Sequence, residues 1–101
     1  MRVEVSQGPV PEVTIIGPRQ CGKTERMIDM VIGAIIAGGT PTVATRTSSE
    51  ARDVRDRLAR RLYECGINAP KQTADRVVYL RSGLKTRYHG RTGPIFFEED
   101  E

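Results

Sequence analysis

The sequence predicts an α/β fold with a small, mostly parallel sheet, and three observations predict it. Short β-branched apolar runs alternate with segments of helical period. Glycine or proline marks most of the switches between them. The 101 residues, 38% of them hydrophobic, suffice for one modest core and therefore for a single domain, residues 1–101.

The first strand is expected at Val13-Thr14-Ile15-Ile16, entered after Pro9 and Pro11 and ended by Gly17. From Lys23 to about Ala37 the residues Met27, Ile28, Met30, Val31, Ile32, Ile35 and Ile36 cover most of a helix circumference, so this helix should be largely buried. Gly38-Gly39 stops it, and Pro41 to Thr45 reads as the second strand. Thr47 with Glu50 has the spacing of a capping box, and Ala51, Val54, Leu58, Leu62 and Cys65 then recur at helical period, giving a second helix over roughly 48–65. A polar loop, 67–75, leads to a third strand at Arg76 to Leu80. Ser82-Gly83 then turns into a hairpin partner, Leu84 to Tyr88, and Ile95-Phe96-Phe97 forms the last strand before an acidic tail, 98–101.

The most specific signal is Gly17-Pro18-Arg19-Gln20-Cys21-Gly22-Lys23-Thr24, which fits G-x-x-x-x-G-K-[ST] between a strand and a helix. Such a loop turns its backbone N–H groups inward around an anion, and glycine permits the sharp bends and the close approach. Lys23 would reach the β- and γ-phosphates and Thr24 would offer its hydroxyl to Mg²⁺, while the helix directs its positive end at the same anion. Arg19 could face the γ-phosphate or solvent. Cys21 is a free position of the motif near a helix start. Gly17, Pro18, Arg19, Gln20, Cys21, Gly22, Lys23, Thr24 and Glu25 are the residues expected to line a nucleoside triphosphate, ATP or another, bound with Mg²⁺.

Hydrolysis of such a ligand also needs carboxylates at the C-terminal edge of the sheet, and Glu98 and Glu99 follow an apolar run there. Strand alternation sends these two to opposite sides. Asp100-Glu101 is a second acidic pair, which a longer strand would be needed to position.

Taken together, the loop, Thr42 to Thr47 leading into a charged helix, and Tyr88 to Glu99 resemble the first half of a P-loop ATPase of the additional-strand, catalytic-glutamate type. The likeness is to phage terminase large-subunit ATPase domains and helicase cores. It implies a three-layer P-loop NTPase-like sandwich with two main helices. It also implies a metal role for Glu98 and a catalytic role for Glu99, which join Thr24 as a metal candidate and Lys23 and Arg19 as catalytic candidates from the loop itself. In that family a further strand stands between the loop strand and the acidic strand. Without it the sheet must close up, leave an edge open or recruit a second copy or another protein.

Net charge is +3, but four of the thirteen acids are Glu98 to Glu101, leaving a basic body suited to phosphate-bearing partners, nucleotide or DNA. Arg52, Arg55, Arg57, Arg60 and Arg61 on the second helix are the DNA-facing candidates, with Asp53–Arg57 and Asp56–Arg60 spaced to pair within the helix. Arg46 and Arg91 fall near strand ends on the nucleotide side, and His89, the sole histidine, lies in a loop. Cys21 and Cys65 have neither metal-ligand nor disulfide-framework spacing. No apolar run reaches the ~20 residues of a membrane span, so a soluble cytoplasmic protein is expected, in the host cytoplasm if phage-encoded. The alternatives are a regulatory module that binds nucleotide without turnover and a DNA-binding accessory.

Overall fold

The computed structural model describes residues 1–8, 10–18, 22–82 and 93–100. In chain order these form β1 (Arg2–Ser6), β2 (Glu12–Gly17), α1 (Lys23–Ile36), β3 (Thr42–Thr45), α2 (Ser48–Glu64), α3 (Pro70–Val77), β4 (Val78–Leu80) and β5 (Ile95–Asp100). The strands make one sheet in the order β1-β2-β5-β3-β4. All neighbours are parallel except β1, which runs antiparallel to β2. The fold is thus α/β with a mixed, mostly parallel sheet.

One row of side chains explains how the layers hold together. Val13, Phe96, Val43 and Val78 are register neighbours across β2, β5, β3 and β4, and all four are buried. Onto this row pack Met27, Ile28, Val31 and Ile32 of α1, Ala51, Val54, Leu58 and Leu62 of α2, and Ala74 and Val77 of α3. The opposite face carries a smaller cluster, Ala44 and Ile95 with Val10, Tyr79 and Phe97. Among the described residues the architecture is therefore two-layered, and the expected third layer is not seen. Handedness is the reason. The β2-α1-β3 and β3-α2-α3-β4 crossovers progress in the same direction along the sheet, so right-handed connections place their helices on one face. Only the return from β4 to β5 runs the other way, and its residues 83–92 lie outside the described ones, as do the expected hairpin partner Leu84 to Tyr88, His89 and Arg91.

Several elements follow the sequence closely. The C-terminus of α1 is closed by Gly38 at φ 86°, with Gly39 N–H donating to the Ala34 carbonyl at 2.9 Å. Thr47 caps α2 by accepting from the Glu50 N–H at 3.1 Å. Burial of α1 is narrower than its composition suggests: one stripe is buried, whereas Ile36 is 67% exposed.

Three readings are corrected. β1 is an unanticipated edge strand that pairs Val3 with Ile15 and Val5 with Val13; its outward polar residues suit an edge. The segment expected as a loop and then a strand at 76–80 is instead α3 followed by the three-residue β4. Pro70 occupies the first turn, Ala69 enters it at φ 52°, and Ala74 and Val77 bury one helical stripe. β5 does not end at Phe97, because β2 offers six register partners, from Glu12–Ile95 to Gly17–Asp100. Glu98, Glu99 and Asp100 therefore belong to a strand and not to a tail. Of the outcomes open to a sheet without the intervening strand, closing up is the one seen: β2 and β5 pair directly, and the edges are β1 and β4. Among the described residues no helix is long and apolar enough to cross a membrane.

Candidate phosphate-binding site

β2 ends at Gly17 and α1 begins at Lys23, so the glycine-rich segment is the turn between a strand and a helix, at the C-terminal edge of the parallel strands. Parallel sheets gather ligands at that edge. Gly22 caps α1 in the left-handed conformation, φ 83°, which only glycine adopts without strain. No side chain caps this helix, so its first-turn N–H groups and the positive end of its dipole face the loop. Pro18 is exposed. Arg19, Gln20 and Cys21 lie outside the described residues.

Lys23 is buried, with 8% of its surface exposed. Its ammonium donates to the Gly17 carbonyl at 2.9 Å and to the Glu99 carbonyl at 3.3 Å, and it forms an ion pair with the Asp100 carboxylate. The side chain thus reaches from the start of α1 to the end of β2 and the last residues of β5. Thr24, beside it, lies near enough to the Glu98 carboxylate to favour its charged form. Burial raises the Glu98 carboxyl above its ordinary range, and Thr24 opposes this; Glu50 adds to the rise while Lys23 and Arg57 counter it. Glu98 Oε1 is buried and has no hydrogen-bond partner among the described residues.

These contacts sort the acids of β5. Alternation places Glu98 and Asp100 on the face that carries α1 and sends the Glu99 side chain to the other face. Glu99 reaches Lys23 through its backbone carbonyl. The sequence had Asp100 only as the less favoured alternative, and strand parity was the signal that ties it to Glu98.

Two arginines converge on the same strand. Arg46, after β3, and Arg81, after β4, both donate to the Glu98 carbonyl, at 3.1 and 3.3 Å. The Arg81 guanidinium also lies over the Phe97 ring, 5.1 Å from its centre. Arg81 was not singled out by sequence reasoning; only the alignment of the strand ends brings it here.

Glu25 lies elsewhere. Its carboxylate meets Arg57 and Arg61 of α2, each at 3.3 Å, on the seam between the two helices. Arg61 also pairs with Asp29, Arg57 with Asp53 at 3.2 Å, and Arg55 donates to the Val78 carbonyl at 3.0 Å. Three of the five arginines proposed for DNA are thus committed to contacts within the fold.

The arrangement suits a hard cation held partly by its ligand. A carboxylate oxygen of Glu98 without a partner among the described residues, and the hydroxyl of the nearby Thr24, are donor types Mg²⁺ takes while keeping waters and phosphate oxygens. Among the described residues there is no cluster of three or more His, Cys, Asp or Glu side chains that could hold a metal by itself. Cys65 is a free, exposed thiol. No protein-family model matches this chain, and no curated protein or solved structure matches it.

Proposed function

We propose that the chain binds a nucleoside triphosphate, ATP as the first candidate, together with Mg²⁺ at the Gly17–Thr24 loop, in a reduced P-loop NTPase-like fold. The observation that carries this reading is the placement of Lys23. Its ammonium is held beside Gly17, between the end of a parallel strand and a helix N-terminus without a side-chain cap, so a fixed cation and a helix dipole meet there. Thr24 and Glu98 are the residues that would hold Mg²⁺, whose chemistry is to neutralise charge on the phosphate oxygens.

Turnover is a separate question within the proposal. The resemblance assigns activation of water to Glu99, but the Glu99 side chain leaves the strand on the face opposite Lys23 and Thr24. Binding is accordingly the primary function proposed, with hydrolysis slow or dependent on a partner.

Calorimetric titration with ATP and GTP, with and without Mg²⁺, tests this. Saturable binding by the wild type is expected, at least tenfold weaker in Lys23→Ala. Thr24→Ala and Glu98→Gln should weaken binding only when Mg²⁺ is present. Flat traces from folded wild type with every nucleotide would overturn the reading. Phosphate release that Glu99→Gln leaves unchanged would remove its catalytic role without touching the binding claim.

A further inference from the structure

The groove between α2 and α3 has no residue in common with the loop. Its volume is about 550 Å³, within the range of small-molecule pockets. The floor is apolar, with Ala51 and Ala74 both buried and Leu80 beside them; alanines at the helix contact leave the space that longer side chains would fill.

Arg52, Arg55 and Lys71 bring three cations to this groove. Arg55 is the distinctive one. One of its terminal nitrogens donates to the Val78 carbonyl at 3.0 Å, which pins the guanidinium to β4, while its Nε is buried and has no hydrogen-bond partner among the described residues. A desolvated charged donor without an acceptor is costly, and a pinned guanidinium presents its remaining N–H groups as a fixed fork suited to an oxyanion. The neighbouring charges are also held open. Arg52 and Asp56, and Lys71 and Asp75, stand four residues apart on their helices, yet neither couple closes among the described residues. Asp53 and Arg57 on the same α2 do close, at 3.2 Å. Ser48, in the first turn of α2, puts the positive end of that helix at one end of the groove.

We propose that this groove binds a small organic anion. Its carboxylate or phosphate is taken up by Arg55 with Arg52 and Lys71, and its apolar body lies over Ala51, Ala74 and Leu80.

Amide NMR titrations on the full chain carrying Lys23→Ala, which removes the loop lysine, separate this site from the one above. Phenyl phosphate and benzoate, used separately at constant ionic strength, distinguish the two head groups. Saturable shifts in α2 and α3 are expected with at least one of them, and Arg55→Lys, which keeps the charge but loses the pinned planar fork and its remaining terminal N–H donors, should bind about tenfold more weakly. Lys71→Gln, at an exposed position where the fold is kept, should also weaken binding. Shifts that fail to saturate, or saturable shifts that both variants leave unchanged, overturn the proposal.

Discussion

Lys23 and Asp100, at the start of the first helix and the end of the last strand, form an ion pair, and Asp100 lies opposite Gly17 in the register of β2 and β5. The lysine at the start of α1 is thus tied to the acidic strand by its side chain and to Gly17 by a hydrogen bond. Any anion that reaches the loop meets a lysine already held in place and already partnered.

That pair should be measurable as a coupling. The Lys23 side chain is 9% exposed and that of Asp100 42%, so removing the carboxylate leaves a buried ammonium with carbonyl acceptors only. Asp100→Ala should cost ~1–2 kcal/mol, less than a fully buried pair because one partner is wet. The loss should largely vanish in a Lys23→Met background. Urea denaturation of the two single variants and the double variant gives the coupling energy, and strictly additive effects would refute the pair.

Glu98 makes stability depend on pH in a defined direction. Burial raises its carboxyl in the folded state, so the fold binds this proton more tightly than the unfolded chain does. The resulting stabilisation is complete below the ordinary glutamate value and is lost as pH rises through the folded value. Glu98→Gln lacks this titration and should gain on the wild type as pH moves from the carboxylate range toward neutrality. A difference in unfolding free energy that stays constant with pH would contradict this.

Phe96 is the central member of the row that carries all three helices, and it is 2% exposed. Phe96→Ala should cost ~3–5 kcal/mol, a large share of the ~5–15 kcal/mol typical of a domain. Phe97→Ala, on the other face and only half-buried, should cost less. Thermal unfolding of the two variants checks the order, and a reversed order would place the core on the wrong face.

Gly93 enters β5 at φ 74°, and a Cβ there would lie 2.7 Å from Val10 Cγ1. Gly93→Ala should therefore destabilise by ~1–3 kcal/mol, partly through the left-handed backbone and partly through overpacking. Combining it with Val10→Ala should recover the packing part and not the backbone part. If the double variant loses at least the sum of the single losses, the clash is not the cause.

Local chemistry was readable where it is self-contained. The strand–turn–helix around Gly17 to Lys23, the start of α2 at its Thr47 cap and the glycine stop after α1 each depend on residues within a few positions of one another, and spacing alone specified them. The β1 strand, the boundary between α3 and β4 and the length of β5 were not readable, because each depends on a partner distant in sequence. Backbone groups of Glu98 to Asp100 are paired only because β2 runs alongside them. The single-faced placement of the helices likewise depends on strand order.

The sequence by itself determined that a glycine-bounded segment joins a strand to a helix with Lys23 and Thr24 at the helix start, since the steric requirements of that junction are local. Tertiary structure alone decided which carboxylates meet that loop. Side-chain facing on a strand is set by register, and register belongs to the pair of strands: β2 against β5 places Glu98 and Asp100 beside Thr24 and Lys23 and turns Glu99 away.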